Sequence, residues 1–347
     1  MNKKQVKLKD IALRAEVSVA TVSAALNGTG RISDRLREHI TAVARQMNYE
    51  PNLAAKLLKQ KHCSDIALVI SDYTKRIVGS GFFQPMIYQF ILLCDAEGIR
   101  CQVEYHDPGT KDDQVPEIMT NGLAGGVLYG GAVGTATRKW LKENPNFPFV
   151  VFEDSAFEYA IHSRYDLAAY QALQHLAALG HRRVGLLGGP PRYEVQAGLQ
   201  QGFARAVADF GLDDGGGRWS HEFALKFDAD TMREGVAWCS ELFDGGSYPS
   251  ALLATDARLA KAVMYASLKR GIEIPRDLSL ISCSNESESE QVYPLLSAIR
   301  WNAEEAVFKA YHLLRARMDG RQPPERHIEV EPIFTMRDSV GRCPGGK

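Results

Sequence analysis

The chain has 347 residues, 45% hydrophobic and 24% charged, with a formal net charge of -1, and that length predicts two or three domains rather than one core. No apolar run approaches the ~18 residues of a membrane span, and the start "MNKKQVKLKD" has no signal-peptide core, so a cytoplasmic protein without a membrane partner is expected. Six scattered cysteines without a CxxC pair, and nine histidines without HxH or HxxxH spacing, predict reduced thiols, no metal site and no cofactor.

The small net charge hides an asymmetry. Residues 1–64 carry twelve Lys/Arg against five Asp/Glu, a balance of +7, and the remainder carries -8. A basic head on an acidic body predicts a polyanion-binding module joined to something else. Within the head, Leu8 to Ala15 reads as a short helix with Leu8, Ile11, Ala12 and Ala15 on one face. Ser18 is a good N-cap for a second helix, and Gly28 a stop after Asn27. On that helix Val22, Ala25 and Leu26 share the buried side, while Ala20, Ser23, Ala24 and Asn27 point away. Ser33 caps a third helix, with Leu36, Ile40, Val43 and Met47 at helical spacing. Joined by the tight "AEVS" turn, these helices predict a helix-turn-helix unit. A recognition helix must enter a major groove, so small outward side chains between phosphate-gripping basic residues suit it.

"LKDIALRAEVSVATVSAALNG" followed by "ISDRLREHITAVARQMNYEPNLAAKLL" resembles the headpiece of the lactose-repressor/galactose-repressor family. The resemblance implies that Val19, Ala20 and Ala24 face base edges, that Thr21, Ser23 and Asn27 contact phosphates or bases, and that Ser18 lies in the same interface. Many members carry Arg, His or Tyr where this chain has Ala24, so readout here leans on thymine methyls and DNA shape. In "YEPNLAAKLLKQKHCS" Pro51 ends the third helix, and Asn52 caps a short hinge segment, 51–64, too short to hold a helix alone. By the same resemblance Ala55 and Lys56 match minor-groove contacts, and Leu58 matches a leucine wedge that opens a base step. The alternative is an inert spacer whose Leu57 and Leu58 pack on the next domain.

From Ser64 the texture becomes alternating strand and helix. "DIALVIS", "IRCQVEY", "AGGVLYG" and "FPFVVFE" form one set of strands, with a helix over Phe83 to Glu97. "RRVGLLGG", "EFALKF", "SALLAT" and "LSLISC" form a second set after Asp166–Leu179. The expected architecture is an all-α helix-turn-helix headpiece (1–50) plus an α/β domain (65–340) of two doubly wound subdomains. It resembles periplasmic-binding-protein-like effector domains, and that resemblance places crossovers near 157–163, 286–292 and 320–326.

The resemblance further implies a small-molecule effector, a sugar or related metabolite, between the subdomains, lined by Asp72, Phe82, Phe83, Tyr193, Leu199, Phe227, Asp256 and Asn285. Asp256 sits where a strand ends and a helix begins, a ligand position in such sheets and equally a helix cap. Phe82 and Phe83 match an aromatic pair that stacks on effectors, and core aromatics are the plain alternative. The pocket departs from pattern at Leu199, where relatives place an arginine, and at Ser284, Asn285 and Trp301, so no relative's effector carries over.

Two other classes fit worse. A nucleotide-binding dehydrogenase would need GxGxxG directly after the first strand, which "IALVISDYTKRIVG" lacks, and no GxSxG or GxxxxGK motif points to another enzyme. A solute-binding protein would need an export signal and no basic head. The expected protein is therefore a regulator, with repression the family habit, acting as a homodimer on palindromic operator DNA.

Overall fold

A computed structural model of the chain describes residues 8–26, 32–47, 65–71, 83–225 and 229–344. The chain divides into two compact units, Met1–Cys63 and Ser64–Lys347.

In the first unit, α1 (Leu8–Arg14), α2 (Val19–Leu26) and α3 (Asp34–Gln46) form as their caps and periodicity require. The Ser18 hydroxyl accepts the Thr21 N–H at 3.0 Å, and the Ser33 hydroxyl accepts that of Leu36 at 3.4 Å. Each satisfies a donor that the first turn of a helix leaves open. Ile11, Val22 and Ile40 are fully buried, with Ala12, Ala15, Ala25, Val43 and Ala44 closing around them. The turn between α1 and α2 places Glu16 at φ +53°, a left-handed conformation that costs a non-glycine residue about 1 kcal/mol or more.

The second unit contains two six-stranded sheets among its described residues. The first holds β1 (Ile66–Ser71), β2 (Cys101–His106), β3 (Gly126–Gly131), β4 (Phe149–Phe152), β5 (Ala160–Ser163) and β11 (His327–Val330), in the order β11-β5-β4-β3-β1-β2, all parallel. The second holds β6 (Val184–Gly188), β7 (His221–Glu222), β8 (Ala251–Ala254), β9 (Ser279–Cys283), β10 (Ser297–Arg300) and β12 (Ile333–Thr335). Its order is β12-β10-β9-β8-β6-β7, with only β12 antiparallel. Both sheets reverse strand order after their first strand, so each has a switch point at its carboxyl edge, where ligands bind in open α/β sheets.

The helices that matter below are α4 (Phe83–Ala96), α5 (Thr135–Glu143), α6 (Tyr165–Ala178), α7 (Glu194–Asp209), α8 (Ala229–Asp244), α9 (Ala257–Leu268), α10 (Glu286–Glu290) and α11 (Ala303–Met318). β1 is buried along its whole length, as a parallel strand covered on both faces must be. Ile66, Leu68 and Ile70 enter one core and Ala67 and Val69 another, the period of two expected of a strand. The first of these cores runs on into the second sheet through Val184, Leu253, Ile281 and Ile299, so one apolar body joins the two halves.

Strand membership corrects part of the sequence reading. The chain leaves the first sheet after Ser163, just past the expected 157–163. It returns after Arg300, not near 286–292, and crosses again between Val330 and Ile333, not near 320–326. Spacing shows that a strand exists but not which sheet it joins; α11, which follows β10, packs against β3, β4 and β5 of the first sheet. Of the described residues of "EFALKF", only Glu222 lies in a strand, β7, because Phe223 turns into the core and Leu225 adopts φ +48°.

The second half is closed by its carboxyl-terminal segment. Fully buried His181 has Nε2 at 3.0 Å from the Gly341 carbonyl and Nδ1 at 2.9 Å from the Ser250 hydroxyl. Burial pushes the imidazole pKa below its ordinary 6.5, although the Gly341 carbonyl pulls the other way. The unfolded chain therefore binds a proton that the folded chain refuses, and stability falls as pH drops below about 6.5. In thermal melts, His181→Gln should lose part of the difference in midpoint between pH 7.5 and 5.5 that the parent chain shows; an undiminished difference removes His181 as a cause.

Candidate nucleic-acid interface and ligand cleft

In the first unit, α2 presents the surface its composition predicts. Ser18, Val19 and Ala20 are exposed and Thr21, Ser23 and Ala24 half-buried, while Val22 and Ala25 face the core. The Ser18 and Thr21 hydroxyls lie 2.8 Å apart, so the first turn offers a polar edge beside exposed Val19. The Arg37 guanidinium reaches the Ala25 carbonyl at 3.4 Å and ties α3 to the end of α2. Small side chains on a rigid, exposed helix let its backbone approach a groove floor closely, and apolar contact suits thymine methyls. Asn27, Asn52, Ala55, Lys56 and Leu58 lie outside the described residues.

In the second unit, residues at or just past the carboxyl ends of strands from the two sheets meet one another, Ser155 with Glu194 and Ser163 with Trp301. Glu153, one residue past β4, stands at φ +56°. It accepts from the Ser163 hydroxyl at 2.5 Å and from the Ser163 N–H at 3.2 Å. Trp301 Nε1–H donates to the same Ser163 hydroxyl at 2.9 Å, and its ring meets Phe152 edge-on at 5.9 Å. One hydrogen-bonded chain thus runs from the second crossover (Trp301) through the first (Ser163) to a cleft carboxyl. Burial raises the Glu153 pKa to about 7 against the pull of the two Ser163 bonds, with the Glu194 charge adding to the rise. A carboxyl poised near neutrality donates or accepts according to what meets it. Burial raises the pKa of Tyr165, at the start of α6, well above the usual value, with the charges of Glu153 and Cys283 adding to the rise.

Across the cleft, Gln196 Oε1 accepts from Gly189 N–H at 2.8 Å and from the Thr255 hydroxyl at 2.7 Å. Gln200 Nε2 donates to the Gly189 carbonyl at 2.7 Å. These bonds hold the ends of β6 and β8 together at the switch point of the second sheet. At that of the first, Gly131 at φ +99° passes so near β1 that a Cβ would fall 1.9 Å from the Ser71 carbonyl oxygen.

The structure separates the expected ligand residues. Asp256 caps α9, accepting Arg258 N–H at 2.8 Å, and both its oxygens are held by the Arg258 guanidinium at 2.8 Å. Asn285 caps α10 in a reciprocal box with Glu288. Tyr193 is exposed, with the Arg192 guanidinium 5.0 Å from its ring centre. Phe83 is buried in the core, against the glycines that end β3. Leu199, on α7, is fully enclosed in the shared core, against the expectation that it lines the effector site. Asp72, Phe82 and Phe227 fall outside the described residues. Sequence reasoning missed Glu153, Ser163, Gln196 and Thr255; the signal available was the carboxylate ending "FPFVVFE", at the edge where such sheets bind. Among the described residues no group of three His, Cys, Asp or Glu could hold a metal ion.

Residues 7–52 match the family model for bacterial regulatory proteins of the lacI family, and residues 173–340 match that of the periplasmic binding protein-like domain. The transcriptional repressor PurR of Klebsiella pneumoniae (strain 342) is 22% identical over 343 residues, 97% of each chain. Catabolite control protein A of Staphylococcus aureus (strain Mu50) is 26% identical over 85% of this chain and 87% of its own. The fold is that of the Lac repressor dimer solved with operator and the anti-inducer ONPF, with TM-score 0.81 at 19% identity over 97% of this chain and all of that one. The regulator CelR, solved with cellobiose, superposes at 0.69 with 20% identity over 96% of this chain and all of its own. Headpiece, paired sheets and relatives that span the chain agree: residues 7–52 are a DNA-binding domain of the lacI family, and the chain as a whole is similar to the transcriptional regulators built on it.

Proposed function

We propose that this chain binds palindromic operator DNA as a cytoplasmic homodimer and represses transcription under the control of a small molecule held between its two sheets. Its role is one of binding, not catalysis. The observation that carries the reading is α2, a capped helix whose outward residues Val19, Ala20 and Ala24 are small, in a head of charge +7. Base edges are reached by Val19, Ala20 and Ala24, and Ser18, Thr21, Ser23 and Asn27 serve phosphates or bases. Asn52, Ala55, Lys56 and Leu58 take the hinge roles that the family resemblance implies.

A second copy is supported by the apolar side chains that α4 and β2 leave exposed, Tyr88, Ile91, Leu92 and Val103. Exposed apolar side chains on neighbouring elements suit an interaction surface, and a two-fold partner matches a two-fold operator. The ligand would meet Glu153, Ser163 and Trp301 on one side and Gln196 and Thr255 on the other. A native-state ligand raises the melting temperature, so a thermal-shift screen of sugars, nucleosides and amino acids finds it.

Selection from a randomised operator library tests the DNA reading. Ala24→Arg should change the preferred base at one symmetric position per half-site, towards guanine, since arginine forks onto guanine O6 and N7, worth about 1–3 kcal/mol. The same selected site for both proteins would show that Ala24 does not face the bases.

A further inference from the structure

Glu194 is the first residue of α7, in the half built on the second sheet, yet its side chain is spent on the other half. Oε1 accepts from the Ser155 N–H at 2.9 Å and the Ser155 hydroxyl at 2.7 Å, just beyond β4. Oε2 lies 3.4 Å from Nδ1 of His162 on β5. His162 Nε2 is in turn 3.1 Å from Nδ1 of His327 on β11, the two rings parallel within 9°. With both rings neutral the bonds are satisfied in one direction: His327 donates to His162, and His162 to the carboxylate. Burial holds the His162 pKa below its usual value, against the pull of Glu194. For Glu194, burial works upward, but the Ser155 bonds and His162 prevail and hold its carboxyl below the usual range. Around neutral pH the contact is thus a carboxylate receiving two charge-assisted hydrogen bonds from Ser155 of the opposite half, with the His162 ring beside its second oxygen. Lys309, Glu325 and Glu329 border the same surface pocket as Ser155, His162 and His327.

We propose that Glu194 is a latch that closes one side of the cleft, and that the angle between the halves is set by whether this contact is made. Ser155 and Glu194 both follow the carboxyl ends of strands, β4 in one sheet and β6 in the other, so the bond spans the cleft itself. The crossovers can flex without breaking a strand, whereas this bond cannot survive a change of angle. A molecule in the cleft then acts on the angle by permitting or preventing the contact. This last step rests on the cleft being the ligand site, as proposed above; the latch itself does not.

The test needs neither DNA nor ligand, so its failure is distinguishable from failure of the functional reading. Hydrogen exchange is followed by mass spectrometry on the full chain, in peptides covering Ser155. Ser155 is exposed, and its amide is protected by an acceptor from the other half. In Glu194→Ala, exchange at Ser155 should accelerate at least tenfold, with peptides from β4 and β6 unchanged and a larger radius of gyration by small-angle scattering. Glu194→Gln, which keeps the shape and an acceptor oxygen, should lie between; it carries the test alone if the alanine variant does not fold. Unchanged exchange at Ser155, or acceleration shared equally by the core peptides, overturns the latch.

Discussion

Raising the salt from about 50 to about 200 mM will weaken operator binding by two orders of magnitude or more. The twelve basic residues of the first 64 outnumber the acidic ones by seven, and in the proposed dimer a symmetric pair of heads would double that charge at the DNA. Each phosphate neutralised releases condensed counterions, so the logarithm of the association constant falls with log salt at about 0.9 per phosphate contact. Six to ten contacts give a loss of roughly a thousand- to a hundred-thousand-fold over that range. The lac repressor is itself the worked case of this relation, with a slope near -10. Fluorescence anisotropy on the selected operator gives the slope directly. Arg35→Gln, at an exposed position in the first turn of α3, should lower it by about 1 in each half-site if it touches a phosphate. A slope near zero would end the electrostatic reading of the head.

Gly202→Val will cost the second unit on the order of 3–5 kcal/mol, the scale of a severe core clash. A Cβ at Gly202 would lie 2.1 Å from the Asp166 carbonyl oxygen, 2.8 Å from its carbon and 3.0 Å from Ala169 Cβ. The obstacle is mostly backbone, which no rotamer change removes, so α7 and α6 must separate. A unit of this size loses about 2–4 °C per kcal/mol, so a drop of roughly 10 °C in the melting temperature is expected. Gly211→Ala is the control: at φ +59° with nothing within 4 Å, it should cost only about 1 kcal/mol. If the two variants melt together, the close approach of α6 and α7 is not what Gly202 provides. Forcing α6 away also moves Tyr165, which opens it, and Ser163, which ends the strand before it, so the surviving fraction should bind any effector found by the screen less well.

The strongest parts of the sequence reading were those whose physics is local. Ser18 and Ser33 cap their helices because a hydroxyl three residues before an open N–H satisfies it wherever the rest of the chain lies. The outward face of α2 follows from 3.6 residues per turn once Val22 and Ala25 are buried. β1 could be recognised because a strand covered on both faces must be apolar throughout. Even the two-sheet architecture, a rhythm repeated twice, is written along the chain.

What the sequence by itself determined is therefore the kind of protein: a capped helix-turn-helix head with a basic surface, followed by two doubly wound sheets. The tertiary structure alone decided where the sheets exchange strands and which side chains bridge the two halves. Leu199 could be aligned with a ligand-binding position, yet its burial depends on α6, far from it along the chain. Glu153 and Ser163 are ten residues apart, but the group that completes their hydrogen-bonded chain, Trp301, arrives from the second crossover. Glu194 opens an ordinary helix, and only the facing edge of the other sheet gives it Ser155 and His162. Caps and periodicities are satisfied within a turn or two of helix. The burial of a carboxylate, and the partner that meets it, are set by contacts between segments that only the closed fold brings together.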